Sequence, residues 1–334
     1  MITKTQVLPR SPLLPSQVET FAEKKVRPLF YDIETTGLSG GSSFVYLIGA
    51  VIPRGEDWEL TQWMAMEEEE ERQILEAFSL ALSGCDFTIQ YNGDSFDMPF
   101  LETRYDHYGL PSPFEDLPSL DLYRTLKPLK PLLKLENMKQ PSLETLLSCP
   151  KRIYPDGKDC IRLYDIHEDK KNDPSTIILF GHNQEDLLGL LQVFTMTAYL
   201  ALLHGKYQVA QSEWKEETLC LTLQVPSPLP VPFVNESPAF SIAGEESQVR
   251  LLIPLKDGRL RRYYDNYRDY VYLFQEDTAI PKALATYMDR SLYKPAKPET
   301  CFTWFPVSER FLEDRTGLVS YLKTALPIFL STLS

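Results

Sequence analysis

Apolar positions along this chain recur first with a period of two, then with a period near 3.6. Residues 28–34 (PLFYDIE) form a short apolar run broken by two acids, which predicts a buried strand. Residues 35–41 (TTGLSGG) read as a turn rich in hydroxyls and glycine. The β-branched and aromatic stretches at 44–53 and 58–66 predict two more strands, so hairpin-like connections open the domain. Over 67–82 the period changes: Ile74, Leu75, Phe78 and Leu82 fall at helical spacing. Further strands are predicted at 86–91 and 117–122, and helices at 96–108, 142–147 and 183–203, while 149–173 is polar and irregular. Three strands followed by alternating helices and strands predict an α/β domain with a mixed sheet.

The character shifts after Gly205. Residues 214–225 alternate as a strand, and Pro226, Pro228, Pro230 and Pro232 make a stiff extended segment. Residues 248–254 and 259–264 predict a hairpin around Lys256, Asp257 and Gly258. A strand at 271–274, a helix at 278–287, a strand at 301–305 and a helix at 309–322 complete the expectation. The 334 residues exceed what one hydrophobic core usually serves. The expected organisation is an N-terminal arm (1–27), an α/β domain (28–205) and a smaller α+β accessory domain (206–334).

Composition narrows the function. With 43% hydrophobic and 24% charged residues the chain reads as an ordinary globular protein. Its net charge is 34 − 47 = −13, which excludes a general electrostatic attraction to nucleic acid or to an anionic membrane. A polyanionic substrate would need metal ions or a local basic patch. Five scattered cysteines without a CxxC pair argue against a disulfide framework and against a cysteine-based zinc site. The start is polar and broken by prolines, and no run approaches about 18 apolar residues. The expected setting is therefore a reducing cytoplasm, with no membrane partner.

Three acidic segments carry the candidate chemistry. Asp32 and Glu34 stand at i and i+2 of a strand, so both carboxylates project from one face. Burying two acids side by side is costly unless a cation compensates them, and magnesium or manganese prefers oxygen ligands. Asp97 stands one turn into the helix that follows the strand DFTIQY; its neighbour Asp94 suits the N-cap. His182 and Asp186, four apart, share a helix face, and an imidazole beside an acid suits deprotonation of a water. The run Glu67–Glu71 reads instead as a solvated helix end favoured by the helix dipole.

Two stretches are locally basic. One holds Arg124, Lys127, Lys130 and Lys134 without an acid. The other interleaves Arg259, Arg261, Arg262 and Arg268 with Tyr263, Tyr264, Tyr267, Tyr270 and Tyr272. Arginine grips phosphates and tyrosine stacks on unpaired bases, so the second stretch suits a single-strand platform; equally, its tyrosines suit the core of a small domain.

Together FYDIETTGL (Asp32, Glu34), YNGDSFDMPFL (Asp97) and HNQED (Asp186) resemble the three motifs of the DEDD 3′–5′ exonucleases, in the same order. The resemblance covers roughly residues 28–204 and is nearest to the bacterial YprB-like branch. It implies a ribonuclease H-like fold, with a mixed five-stranded sheet flanked by helices. It further implies that Asp32, Glu34, Asp97 and Asp186 hold two Mg²⁺ or Mn²⁺ ions about 4 Å apart. His182 would position or deprotonate the attacking water. One departure stands out: three residues separate His182 from Asp186, the spacing of the family's tyrosine subgroup, where the histidine subgroup has four. The implied reaction releases 5′-mononucleotides from a 3′ end of RNA or single-stranded DNA. Thr35, Thr36, Gly37 and Asn92 would contact the terminal nucleotide, and Arg124, Lys127, Arg261 and Arg262 the polymer. The competing expectations are a structure-selective endonuclease and a non-catalytic nucleic-acid-binding module on the same fold.

Overall fold

The computed structural model describes residues 1–8, 11, 13–165 and 174–333. The chain divides into two compact units, the first made of residues 1–127 and 137–197, the second of residues 128–136 and 198–334. The first unit contains β1 (Ile2–Leu8), α1 (Pro15–Ala22), β2 (Pro28–Thr35), β3 (Val45–Arg54), β4 (Asp57–Met64), α2 (Glu71–Leu82) and β5 (Phe87–Gln90). There follow α3 (Asp97–His107), β6 (Ser119–Asp121), α4 (Leu122–Leu126), α5 (Gln140–Leu146), α6 (Gly157–Asp165) and α7 (Pro174–Phe194).

The sheet order is β1-β4-β3-β2-β5-β6. Strands β1 to β4 pair antiparallel, whereas β2–β5 and β5–β6 are parallel, so the sheet is mixed. It has six strands rather than the expected five. The extra one lies in the segment read as a loose arm: Ile2–Leu8 pairs along β4, from Ile2 opposite Met64 to Leu8 opposite Trp58. Most of its side chains are solvent-exposed, so no strong hydrophobic alternation announced it.

Alternation in β2 sorts its residues between two layers. Leu29, Tyr31 and Ile33 join α2 residues Ile74, Leu75 and Phe78 in one buried cluster. Each fully buried side chain of this kind stabilises the fold by about 1.5–3 kcal/mol. Phe30 meets Phe194 of α7 edge to face, with ring centroids 5.6 Å apart. Asp32 and Glu34 continue that second row, so the face of β2 covered by α7 turns from apolar to acidic within five residues.

α7 begins at Pro174, well before the expected start at residue 183, which makes His182 and Asn183 mid-helix residues. The helical stretch Pro174–Leu203 is long and apolar enough to cross a membrane, yet 67% of its most apolar window is buried inside the protein, as in a core helix. The stretch 149–173 is not irregular throughout, since it contains α6; residues 166–173 lie outside the described residues.

The glutamate run is only partly a solvated helix end: Glu67, Glu68 and Glu69 are exposed ahead of α2, as expected, but Glu71 is not. Glu71 is fully buried and Arg104 of α3 is 4% exposed. Arg104 Nε donates to Glu71 Oε1 at 2.9 Å and Nη2 to Oε2 at 2.6 Å. Val45 N–H donates to the same carboxylate at 2.8 Å, and Arg104 Nη1 to the Gly40 carbonyl at 2.9 Å. This pair ties α2, α3, β3 and the β2–β3 turn together. Removing one partner strands a buried charge, which costs about 3–5 kcal/mol. Glu71→Ala is expected to lower Tm by roughly 10 °C, read by thermal unfolding, whereas Glu71→Leu combined with Arg104→Met is expected to lose far less.

The second unit holds α8 (Leu200–Leu203) and a five-stranded antiparallel sheet of order β7-β8-β11-β10-β9. Its strands are β7 (Gln208–Lys215), β8 (Thr218–Gln224), β9 (Phe233–Ser237), β10 (Phe240–Glu245) and β11 (Gln248–Pro254). Beyond them lie β12 (Arg259–Tyr263), β13 (Tyr270–Leu273), β14 (Thr278–Pro281), β15 (Tyr293–Pro295), β16 (Phe302–Pro306), α9 (Glu309–Glu313) and α10 (Arg315–Ser331). Two expectations differ here. The turn around Asp257 and Gly258 is present, closed by the antiparallel bridge Lys256–Arg259, but β11 and β12 form no ladder with each other: β11 pairs with β8 and β10, and β12 with β16. Residues 278–281 form a strand on β13, not the start of a helix. Pro281 ends that strand, and only a short 3-10 turn at Leu284–Tyr287 follows.

Candidate functional site

Asp32, Glu34, Asp97 and Asp186 come together at the acidic end of β2. Asp32 and Glu34 come from β2 itself, Asp97 is the first residue of α3, and His182 and Asp186 stand one turn apart on α7. Glu34, Asp97 and His182 are buried, while Asp32 and Asp186 are half-buried. Glu34, His182 and Asp186 present ligand atoms that all lie within 4.8 Å of one another. His182 Nε2 is 3.4 Å from Glu34 Oε1 and 3.2 Å from Asp186 Oδ2. Asp32 and Asp97 flank this trio within reach of its charge.

Electrostatics mark the cluster as uncompensated. Burial pushes the Asp32 carboxyl well above its ordinary range, and the charges of Asp186, Glu34 and Asp97 push it further. Glu34 is raised well above its range by burial, then by Asp186 and Asp97. Asp97 is raised to about 7, first by burial, with Asp121 and Asp186 adding to it against the amides of Asp97 and Ile33. Asp186 is raised by burial, with Arg152 and His182 pulling it back.

Several residues of the site carried no signal in the sequence. Arg152 forms an ion pair with Asp186, and its Nη2 lies 2.6 Å from Glu144 Oε1. Glu144 therefore holds the arginine against the acids. Arg152 stands in a polar stretch without periodicity, so no pattern pointed to it. Asn183, fully buried, donates from Nδ2 to Asp32 Oδ2 at 2.9 Å, while Gln62 Nε2 donates to Asn183 Oδ1 at 2.9 Å. Gln62 and Asn183 thus fix the direction in which Asp32 points. An Asn adjoining the His on an apolar helix was the available hint. Asp121, buried at the end of β6, accepts from the Asn92 and Arg124 N–H groups at 3.0 and 3.3 Å, and its Oδ2 has no partner.

Gly49 of β3 faces Asp32 across the ladder. A Cβ there would strike the Asn183 side chain, so the close approach of α7 requires glycine. Gly49→Ala is expected to displace Asn183, cost about 1–3 kcal/mol and weaken divalent-cation binding. Thermal unfolding and a cation titration read both effects; unchanged values in both would refute the role given to Asn183.

Several of the remaining candidates have structural partners. Thr35 Oγ1 donates to the Gly37 carbonyl at 2.7 Å, and Thr36 Oγ1 accepts from Phe44 N–H at 3.1 Å, so both hydroxyls shape the turn after β2. Asn92 is exposed with φ 63°. Asp94 is no N-cap: it accepts from Gln90, Ser119 and Arg124 at 2.9, 3.0 and 3.0 Å, joining β5, β6 and α4. Arg124 is thereby engaged in an exposed ion pair, and Lys127 is exposed. Arg261 and Arg262 belong to β12 in the second unit.

The donor set is rich in carboxylate oxygen and poor in nearby cations, with Arg152 facing several acids. Such a set fits a hard divalent metal ion. The sequence profile of the RNase H superfamily matches residues 29–198, just over half of the 334, and the chain belongs to that superfamily. The Glu34–His182–Asp186 cluster fits the divalent-metal chemistry of that superfamily. No curated protein matches the chain. Among solved structures, it is similar to the family B DNA polymerase from the hyperthermophilic archaeon Pyrobaculum calidifontis, with 18% identity and a TM-score of 0.41. That similarity covers 53% of this chain and 25% of the polymerase chain, so it spans a quarter of that protein's length.

Proposed function

We propose that the chain is a metal-dependent 3′–5′ exonuclease of the DEDD type, within the YprB-like branch, that removes 5′-mononucleotides from RNA or single-stranded DNA. The observation that carries this reading is the convergence of Asp32, Glu34, Asp97 and Asp186 from three elements, with carboxyls raised by burial and by one another. These four residues would hold Mg²⁺ or Mn²⁺, two ions in all. Bound there, the ions supply Lewis acidity, which polarises a phosphodiester and eases the deprotonation of water.

The side chains do the rest. Asn183 and Gln62 hold Asp32 in one orientation. Arg152, held by Glu144, offsets part of the Asp186 charge. In this reading His182, whose Nε2 is 3.4 Å from Glu34 Oε1 and 3.2 Å from Asp186 Oδ2, would position or deprotonate the attacking water. A reducing cytoplasm is the proposed setting, from the five dispersed cysteines of the sequence.

A time course on end-labelled RNA and DNA, single- and double-stranded, with and without chelator, tests the reading. The expected result is stepwise, cation-dependent release of mononucleotides from 3′ ends. Cleavage of circular substrates would make the protein an endonuclease, and no hydrolysis of either polymer by folded protein would make it a binding module.

A further inference from the structure

Asp186 meets a partner on each of its carboxylate oxygens. Oδ2 lies 3.2 Å from His182 Nε2, and Oδ1 is ion-paired with Arg152 Nη1. The arginine charge reaches Glu34 as well, where it opposes the rise of that carboxyl. A divalent ion drawn to this cluster therefore meets a cation already in place.

The surrounding chain holds that guanidinium in position. Arg152 Nε and Nη2 donate to Glu144 Oε2 and Oε1 at 2.9 and 2.6 Å, a two-pronged grip by a side chain only 7% exposed. Gln140 Nε2 donates to Glu144 Oε1 at 3.0 Å and to the Asp186 carbonyl at 2.9 Å, tying α5 to α7. Glu144 can come this close because residue 189 is glycine: a Cβ there would lie 1.9 Å from Glu144 Oε1. The backbone that follows is fastened to α7. The Ile153 and Tyr154 N–H groups donate to the Glu185 carboxylate at 2.8 and 3.2 Å. The Tyr154 ring lies against Gly181, where a Cβ would fall 2.2 Å from it.

With its backbone fixed and two nitrogens committed to Glu144, Arg152 has one replaceable contact, the one to Asp186. That pair is the more open to water, with side chains 24% and 20% exposed, and a solvated ion pair yields more readily than a buried fork. A divalent ion carries twice the guanidinium's charge and approaches carboxylate oxygen to about 2.0–2.1 Å, so it outcompetes the arginine there. We propose that Arg152 is a positioning residue of the cation site, a tethered counter-ion that occupies Asp186 until a divalent ion displaces it, while Glu144 keeps the guanidinium beside the acids. The inference rests on the reading of Asp32, Glu34, Asp97 and Asp186 as a cation cage and adds what sets its affinity. The ion binds more weakly than it would without the arginine, and the ion-free cage is partly neutralised.

The test uses the full chain without nucleic acid, so no turnover intervenes. Mn²⁺ is titrated by calorimetry, and Tm is measured in chelator and in saturating Mn²⁺. Arg152→Gln is expected to tighten Mn²⁺ about fivefold or more, since it removes the competing charge. It is also expected to lower Tm in chelator and to recover much of that deficit in saturating Mn²⁺, where the ion has taken Asp186 in both proteins. Arg152→Lys, which keeps the charge but not the fork, is expected to fall between wild type and Arg152→Gln in both readouts. An arginine that merely holds the loop would give the same Tm deficit with and without Mn²⁺ and no gain in affinity. That result, or weaker Mn²⁺ binding in both variants, would overturn the exchange, and no Mn²⁺ binding by the wild type would remove the cage along with it. The nuclease reading fails separately: tighter binding by Arg152→Gln of a protein that hydrolyses neither polymer keeps the exchange and defeats that reading, whereas hydrolysis with unchanged Mn²⁺ affinity does the reverse.

Discussion

Asp32→Asn is expected to abolish hydrolysis while making the chelated protein more stable. The carboxylate sits between the charges of Asp186, Glu34 and Asp97, and its orientation is set by Asn183. An amide of the same shape removes one of four like charges and one oxygen ligand at once. Loss of a ligand whose ion contributes several kcal/mol to the transition state corresponds to about 10³-fold or more in turnover. In chelator near pH 8 the same substitution relieves repulsion, so Tm is expected to rise. The pairing of these effects is the diagnostic. A variant that lost activity and stability together would show merely that Asp32 holds the fold, and one that kept activity would remove it from the site.

The second large effect couples pH to metal. Asp97 moves from 3.8 when unfolded to about 7 in the folded state. A raised carboxyl means that the folded state binds more protons, so stability falls as pH rises through that window. For Asp97 the loss between about pH 4 and pH 7 is on the order of 4 kcal/mol. Asp32, Glu34 and Asp186 shift in the same direction and add to it. Thermal unfolding in chelator is therefore expected to give a higher Tm at pH 5 than at pH 8. Mg²⁺ or Mn²⁺ at a hundred times its Kd is expected to return about 2.7 kcal/mol at pH 8 and far less at pH 5, where protons occupy the ligands. A Tm independent of cation at pH 8 would contradict the idea that these acids await one.

How much of this was legible in the sequence depended on how each residue's role is written locally. β2 and α2 announced themselves because strand alternation and helical spacing are imposed by burial on one side. Asp32 and Glu34 stood out for the opposite reason, as charges in an apolar run. Arg152 could not be found that way, because an arginine in a polar stretch looks like any surface cation until Glu144 and Asp186 are placed beside it. Glu71 was hidden by its neighbours: five glutamates in a row look alike, and only the position of Arg104, 33 residues further on, selects one of them for burial. The strand at 278–281 was misread because a four-residue element is decided by its partner β13 more than by its own pattern.

Asn183 meets Asp32 across 151 positions of chain. The last helix of the first unit delivers the imidazole, the fourth acid and the amide that aims the first, all together. A polypeptide interrupted before residue 174 would carry three of the acids and none of those groups. The proposed cation cage is therefore complete only with α7 in place.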